Sequence, residues 1–200
     1  MPTYSIYIHR TKCIETTNAP GKDEIYGLTF SSSFINIDKP IINYKRFKIG
    51  SFDEGHSIWE THRLWRDEDI KNIDYTLFFV LLYEHDETQK IAYEIYDELF
   101  QAWFPRILKY CQLKYDVPWK TPSLWREKLI DVVYGRLLSD FREAAVYSML
   151  NDDELIGLRR FIIKRETLDR ALGGKRGEKQ LTFTGDGGKY RTDILVYGNG

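Results

Sequence analysis

The chain has 200 residues, 42% hydrophobic and 15% aromatic, which is enough to bury a core without disulfide support. Its net charge of −1 excludes a general phosphate-binding surface, so no nucleic-acid partner is expected. Cys13 and Cys111 stand far apart without a CxxC or Cys/His cluster and read as buried free thiols. Met1–Ile14 alternates instead of forming a charged-then-apolar leader, and the longest apolar run, Tyr75–Tyr83, is too short to span a bilayer. The expected location is the cytoplasm, or export without a cleavable signal.

The first element is a half-buried strand. Tyr4, Ile6 and Ile8 alternate with polar residues up to Cys13 and Ile14. Asn18-Ala19-Pro20-Gly21 is a turn, Glu24–Ile35 a second strand ended by Asp38-Lys39-Pro40, and Asn43–Ile49 a third. Gly50–Gly55 reads as a loop, Ser57–Trp65 as a fourth strand, and Asp67-Glu68-Asp69 through Asn72 as polar turn. Tyr75–Tyr83 differs: Leu77, Phe79 and Leu81 are apolar on one face, and Phe78, Val80 and Leu82 on the other. Such a strand must be covered on both sides.

The predicted cover follows directly. Glu87–Leu113 carries Ile91, Ile95, Leu99, Trp103 and Ile107 at helical spacing, with Pro105 expected to kink or split it. Thr121-Pro122 reads as an N-cap and first helical residue, opening a second helix to about Met149 with Leu129, Val132, Val133 and Leu137 on one face. The expected organisation is one discontinuous β domain, 1–86 and 151–200, with an α-helical hairpin inserted over 87–150. Leu155–Lys164 then reads as a strand and Arg165–Glu178 as a polar stretch ending in a glycine-rich loop. Gln180–Thr184 and Lys189–Tyr197 flank Gly185-Asp186-Gly187-Gly188, a hairpin signal.

If each short connection reverses the chain, several acidic loops fall at one end of an antiparallel sandwich. They hold Asp23, Asp53-Glu54, Glu84 with Asp86, Asp152-Asp153 ahead of Glu154, and Asp186. The parity requires Ser57–Trp65 to be a strand. Crowded carboxylates resist ionising together, so they are either neutralised by a cation or too far apart to interact. Asp23, Asp53, Glu54, Asp86, Asp152 and Asp153 are the candidate ligands of a hard cation such as Ca²⁺.

Acidic loops at one end of a sandwich of about eight strands, with Asp152, Asp153, Ile156 and Gly157 leading into a strand and Asp23-Glu24-Ile25-Tyr26 near the start, resemble a C2 domain. The pattern of Cys13, Asp53-Glu54-Gly55 and Gly185-Asp186-Gly187-Gly188-Lys189-Tyr190 also resembles uncharacterised bacterial proteins of this build. The C2 resemblance implies loops that hold calcium and dock on phospholipid or a partner protein. The chain departs from that family in its helical insertion and in lacking Asp-x-Asp in the candidate loops.

Other chemistry is sparse. His56 and His62 lie near Asp53, Glu54 and Glu60, but no third histidine or cysteine is close in sequence, as a zinc site would need. Gly185-x-Gly187-Gly188-Lys189 precedes no helix and reads as a turn. No catalytic residue is assigned. Trp103, Phe104 and Trp119 of the insertion read either as packing or as a surface for a partner or membrane. The basic runs Arg159-Arg160, Lys164-Arg165 and Lys175-Arg176 fall at the end opposite the acidic loops.

The expectation is therefore a C2-like antiparallel β-sandwich with an inserted two-helix hairpin, acting as a binding module. Its partner would be a protein or anionic phospholipid, and its role that of an effector or accessory protein of a bacterial secretion system. The alternatives are a metal-dependent hydrolase or toxin enzyme using His56, and a membrane-active protein using the helical hairpin.

Overall fold

The computed structural model describes residues 2–17, 21–33, 41–59, 62–84, 154–185 and 187–199, with helical residues at 101–102, 105–106, 109, 126–136 and 139. For 66–72 and 154 only the backbone is described. Among the described residues nine strands form: β1 (Thr3–Glu15), β2 (Asp23–Ser33), β3 (Ile41–Phe52), β4 (Ser57–Ile58), β5 (His62–Asp69), β6 (Thr76–Glu84), β7 (Glu154–Phe161), β8 (Gly177–Gly185) and β9 (Gly188–Asn199). A 3₁₀ turn, Ile70–Tyr75, precedes β6. The helical run 126–136 is called α1, and Arg165–Leu172 is α2.

The strands make two antiparallel sheets. One has the order β4–β1–β9–β8 with β5 also on β1, and the other β3–β2–β6–β7. Register fixes which loops share an end. Asp23 opposes Phe52, Ile25 opposes Glu84, Glu84 opposes Glu154, and Glu15 opposes Lys189. The end of β1, the start of β2 and the ends of β3 and β6 therefore meet the start of β7 and the β8–β9 turn. Gly187 closes that turn at φ +79°, a conformation that glycine adopts without steric cost.

Between the sheets lies a core that includes Tyr4, Ile6, Ile8, Phe52, Phe78, Val80, Leu82, Ile156, Phe183 and Tyr190. Leu77, Phe79 and Leu81 of β6 are equally buried on the opposite face, as are Leu28 and Phe30 of β2. Leaving such side chains wet would forfeit about 1.5–3 kcal/mol each. Helix α1 supplies cover here. Leu129, Ile130 and Val133 form its buried face, and Tyr134 Oη donates to the Leu158 carbonyl of β7 at 3.1 Å. Arg126, 5% exposed, pins the start of α1 to the sandwich. Its guanidinium donates to the carbonyls of Ile73 at 2.6 Å and Ile163 at 3.4 Å and faces Asp74 at 3.5 Å. Burial lowers its pKa from the ordinary arginine value, and Asp74 opposes that shift.

β7 and β8 close one side of the sandwich without a ladder between them. Arg159 Nε of β7 donates to the Thr182 carbonyl of β8. Gly185 lies so close to β7 that an added Cβ would collide with the Ile156 carbonyl.

Several local expectations are corrected. Ser57–Trp65 is broken into β4 and β5, and β5 runs on to Asp69. Asp67–Asp69 is therefore strand where a polar turn was expected. The β1 backbone recruits it, with Thr3 opposite Asp69 and Tyr4 opposite Glu68. Gly50–Phe52 likewise belongs to β3, held by Asp23–Ile25 of β2. The supposed polar stretch after Leu155–Lys164 opens with helix α2, and β7 stops at Phe161. Leu168 and Ala171 of α2 are buried at helical spacing, with Glu166 in its first turn and Arg170 in its last. Much of 87–150 lies outside the described residues, including the expected boundaries of the helical hairpin.

Candidate functional site

At the end shared by the acidic loops, the two sheets meet through a buried polar chain. Asp23 opens β2 fully buried, so its oxygens must find donors within the protein. Its Oδ2 accepts the Thr17 backbone N–H at 2.7 Å and the Tyr190 hydroxyl, while Oδ1 accepts the Thr17 hydroxyl at 3.0 Å. Thr17 Oγ1 also stands 2.8 Å from Oε2 of Glu84, 2% exposed at the end of β6. One hydroxyl proton is thus shared between two carboxyl groups.

Tyr190 continues the chain to Cys13 of β1. Burial raises the Tyr190 pKa far above its ordinary value, and the hydrogen bond to Asp23 adds to the rise. Burial likewise pushes the Cys13 thiol up, partly offset by its hydrogen bond with Tyr190, and the charges of Asp23 and Glu54 raise it further. Cys13 is a buried free thiol held in its unreactive form.

Among the described residues, Asp53 and Glu54 at this end face outward. Asp53 pairs with Lys22 at 2.7 Å where both are mostly exposed, a contact worth about 0–1 kcal/mol. Glu54 is exposed. Among the described residues, no three His, Cys, Asp or Glu side chains converge as a metal ion would need. Asp86, Asp152, Asp153 and Asp186 lie outside the described residues, as do Trp103, Phe104 and Trp119 of the expected partner surface.

The two histidines do not meet. His56 accepts the Cys13 backbone N–H through its own carbonyl, whereas His62 opposes Ile8. Those positions on β1 are roughly 17 Å apart at the usual rise of a strand. His56 packs against Phe52 at 5.9 Å, and Phe52 in turn packs edge-on to Tyr190 at 5.6 Å, so an aromatic ring lies between this imidazole and the Tyr190–Asp23 pair.

A different surface gathers aromatic and cationic side chains. On the outer face of the β1 sheet, Tyr7 meets Tyr197 edge-on at 5.3 Å. Arg63 of β5 donates to Tyr7 Oη at 2.9 Å with its guanidinium 5.4 Å from the ring. A β-bulge between Ile8 and Arg10 lets both His9 and Arg10 reach Trp59. His9 packs edge-on at 5.4 Å, and the Arg10 guanidinium lies 4.8 Å from the indole centroid. Asp193 of β9 holds Arg10 through Nε at 2.8 Å and also accepts Gln180 Nε2 of β8 at 2.9 Å. Trp59 is thereby fixed from below yet stays 61% exposed.

Trp59 falls in the segment read as a fourth strand and is not among the residues expected to form a partner surface, which are Trp103, Phe104 and Trp119. The available signal was a tryptophan in an irregular strand, flanked by Ile58 and Glu60. No protein-family model matches this chain, and no curated protein matches it.

Proposed function

We propose that this chain is a non-catalytic binding module that takes a protein partner on the outer face of the β4/β5–β1–β9–β8 sheet. The supporting observation is Trp59, exposed but held by Arg10 and His9. Tryptophan, tyrosine and arginine are the residues in which binding energy concentrates, and a side chain ordered before binding loses little entropy on contact. Arg63 adds a cation beside Tyr7, while Asp193 offsets only Arg10. The complementary partner surface is acidic and carries an apolar patch for the indole.

The test compares Trp59→Ala with the native chain in parallel affinity captures from the source cell. The captured protein is then purified and titrated back onto both. The expected loss is on the order of 2 kcal/mol, about thirtyfold in Kd. Equal affinity for both chains would remove this face from the reading.

A finer reading keeps the C2-like sandwich and assigns Ca²⁺ to its acidic end. It is supported by the register that gathers Asp23, Glu84, Glu154 and the β8–β9 turn at one end, beside exposed Asp53 and Glu54. The buried Asp23 is not among its ligands, because both oxygens already accept internal donors.

A further inference from the structure

At the opposite end from the acidic loops, where β7 gives way to α2, a cleft of about 280 Å³ opens beside the start of β8. Its floor is apolar and built from Phe161, Ile163, Ile194 and Val196, all buried. A more open continuation of about 370 Å³ runs toward α1 and shares Phe161, Lys164 and Lys179 with the cleft.

The cations of the cleft are not equivalent. Arg160 pairs with Asp131 of α1 and stacks over Tyr134 at 4.5 Å. Lys164 and Lys179 line both spaces and have no ion-pair partner among the described residues. Surrounding protein lowers the Lys179 pKa, and the charges of Lys164 and Arg160 lower it further. Glu178 also lines the cleft, and Glu127 and Asp131 line the outer continuation, where Asp131 is taken up by Arg160. Helix α2 begins immediately after Lys164 without a side-chain cap, and Thr167 from its first turn lines the cleft. That helix end adds partial positive charge to a site already made by the lysines.

We propose that this cleft binds a small organic phosphomonoester, with the phosphate between Lys164 and Lys179 and the apolar body on Phe161 and Ile194. Two unneutralised ammonium groups match a dianionic head, and lysine serves phosphate as a point charge that needs no fixed fork geometry. An apolar floor with few polar groups above it is the usual construction of a small-molecule site. The cleft is too small for a large ligand, so the organic part is about the size of one ring.

Calorimetric titration of the full chain with phenyl phosphate tests this. Saturable binding is expected, with inorganic phosphate weaker by about tenfold and benzyl alcohol not saturating. The Lys164→Ala/Lys179→Ala pair is expected to weaken phenyl phosphate by at least about tenfold. Lys179→Met, which removes a crowded cation, is expected to weaken binding while keeping the native melting temperature, with Lys164→Gln as a second folded variant. No saturation below roughly 10 mM, unchanged affinity in the double variant, or equal binding of benzyl alcohol would each overturn the proposal. Trp59→Ala is expected to leave phenyl phosphate binding unchanged, so this site and the sheet face fail separately.

Discussion

Tyr190 donates its hydroxyl to Asp23 across 167 residues of chain, joining β9 of one sheet to the start of β2 in the other. The bond is charge-assisted and buried, so losing it leaves part of a carboxylate unsatisfied. Tyr190→Phe is expected to cost about 1.5–3 kcal/mol in denaturant unfolding. Asp23→Ala also orphans the Thr17 donors and is expected to cost more, about 3–5 kcal/mol. An Asp23→Ala loss below that of Tyr190→Phe would mean that the carboxylate does not organise this end.

Alkaline pH should loosen the same network. Cys13 and Tyr190 both have folded pKa values raised above their ordinary 9.0 and 10.0. Their stabilisation is fully present below about pH 9 and is lost as pH rises beyond it, because the unfolded chain releases protons that the folded chain retains. Each group contributes a slope of up to about 1.4 kcal/mol per pH unit. Unfolding curves from pH 8 to 11 should show a flatter alkaline limb in Cys13→Ala and in Tyr190→Phe. Identical slopes in native and variant chains would refute the assignment.

Asp74 links two arginines, pairing with Arg165 at 2.8 Å and facing buried Arg126 at 3.5 Å. Asp74→Ala leaves Arg126, among the described residues, with hydrogen bonds to backbone carbonyls alone, and a loss of about 2–4 kcal/mol is expected. Adding Arg126→Met should recover part of that loss, since a buried pair is often replaceable by apolar groups. A double-mutant cycle showing strict additivity would contradict the coupling.

Gly27 on β2 lies under the Phe47 ring of β3, where a Cβ would collide with the aromatic carbons. Gly27→Ala is expected to cost about 1–3 kcal/mol by overpacking. Phe47→Leu in that background should relieve the clash and restore part of the stability. Melting temperatures of the single and double variants decide it.

Calcium is tested by melting the chain with the ion and with chelator. An occupied acidic end is expected to add about 2.7 kcal/mol at a hundredfold excess over Kd. Asp53→Asn with Glu54→Gln should reduce that gain, and a melt indifferent to Ca²⁺ would end the reading.

Much of the architecture was legible because period-two patterns survive in the folded chain. Tyr4-x-Ile6-x-Ile8 became the core face of β1, and the doubly apolar Tyr75–Tyr83 run became a strand buried on both faces. The common end of the strand termini that flank those loops also followed, because antiparallel reversals leave little freedom once the strands are placed. Helix α2 was missed although Leu168, Ala171 and Gly173 carried its signal, since charge dominates the stretch and only burial reveals the short apolar face. Asp67–Asp69 could not be read as strand locally, because the β1 backbone holds it there.

The chain by itself therefore determined where most of the strands fall and in which direction they run, both being consequences of local pattern and chain reversal. What each side chain does there was decided by tertiary structure alone. Asp23 and Asp53 are both acidic residues beside strand ends, yet burial makes one a hydrogen-bonded link between sheets and exposure leaves the other paired with Lys22. Trp59 and Trp65 differ in the same way: one stands on the outer face over Arg10, and the other packs in the core against Phe78. Desolvation and partner geometry arise only when distant segments meet, and those are the forces that separate a structural residue from a binding one.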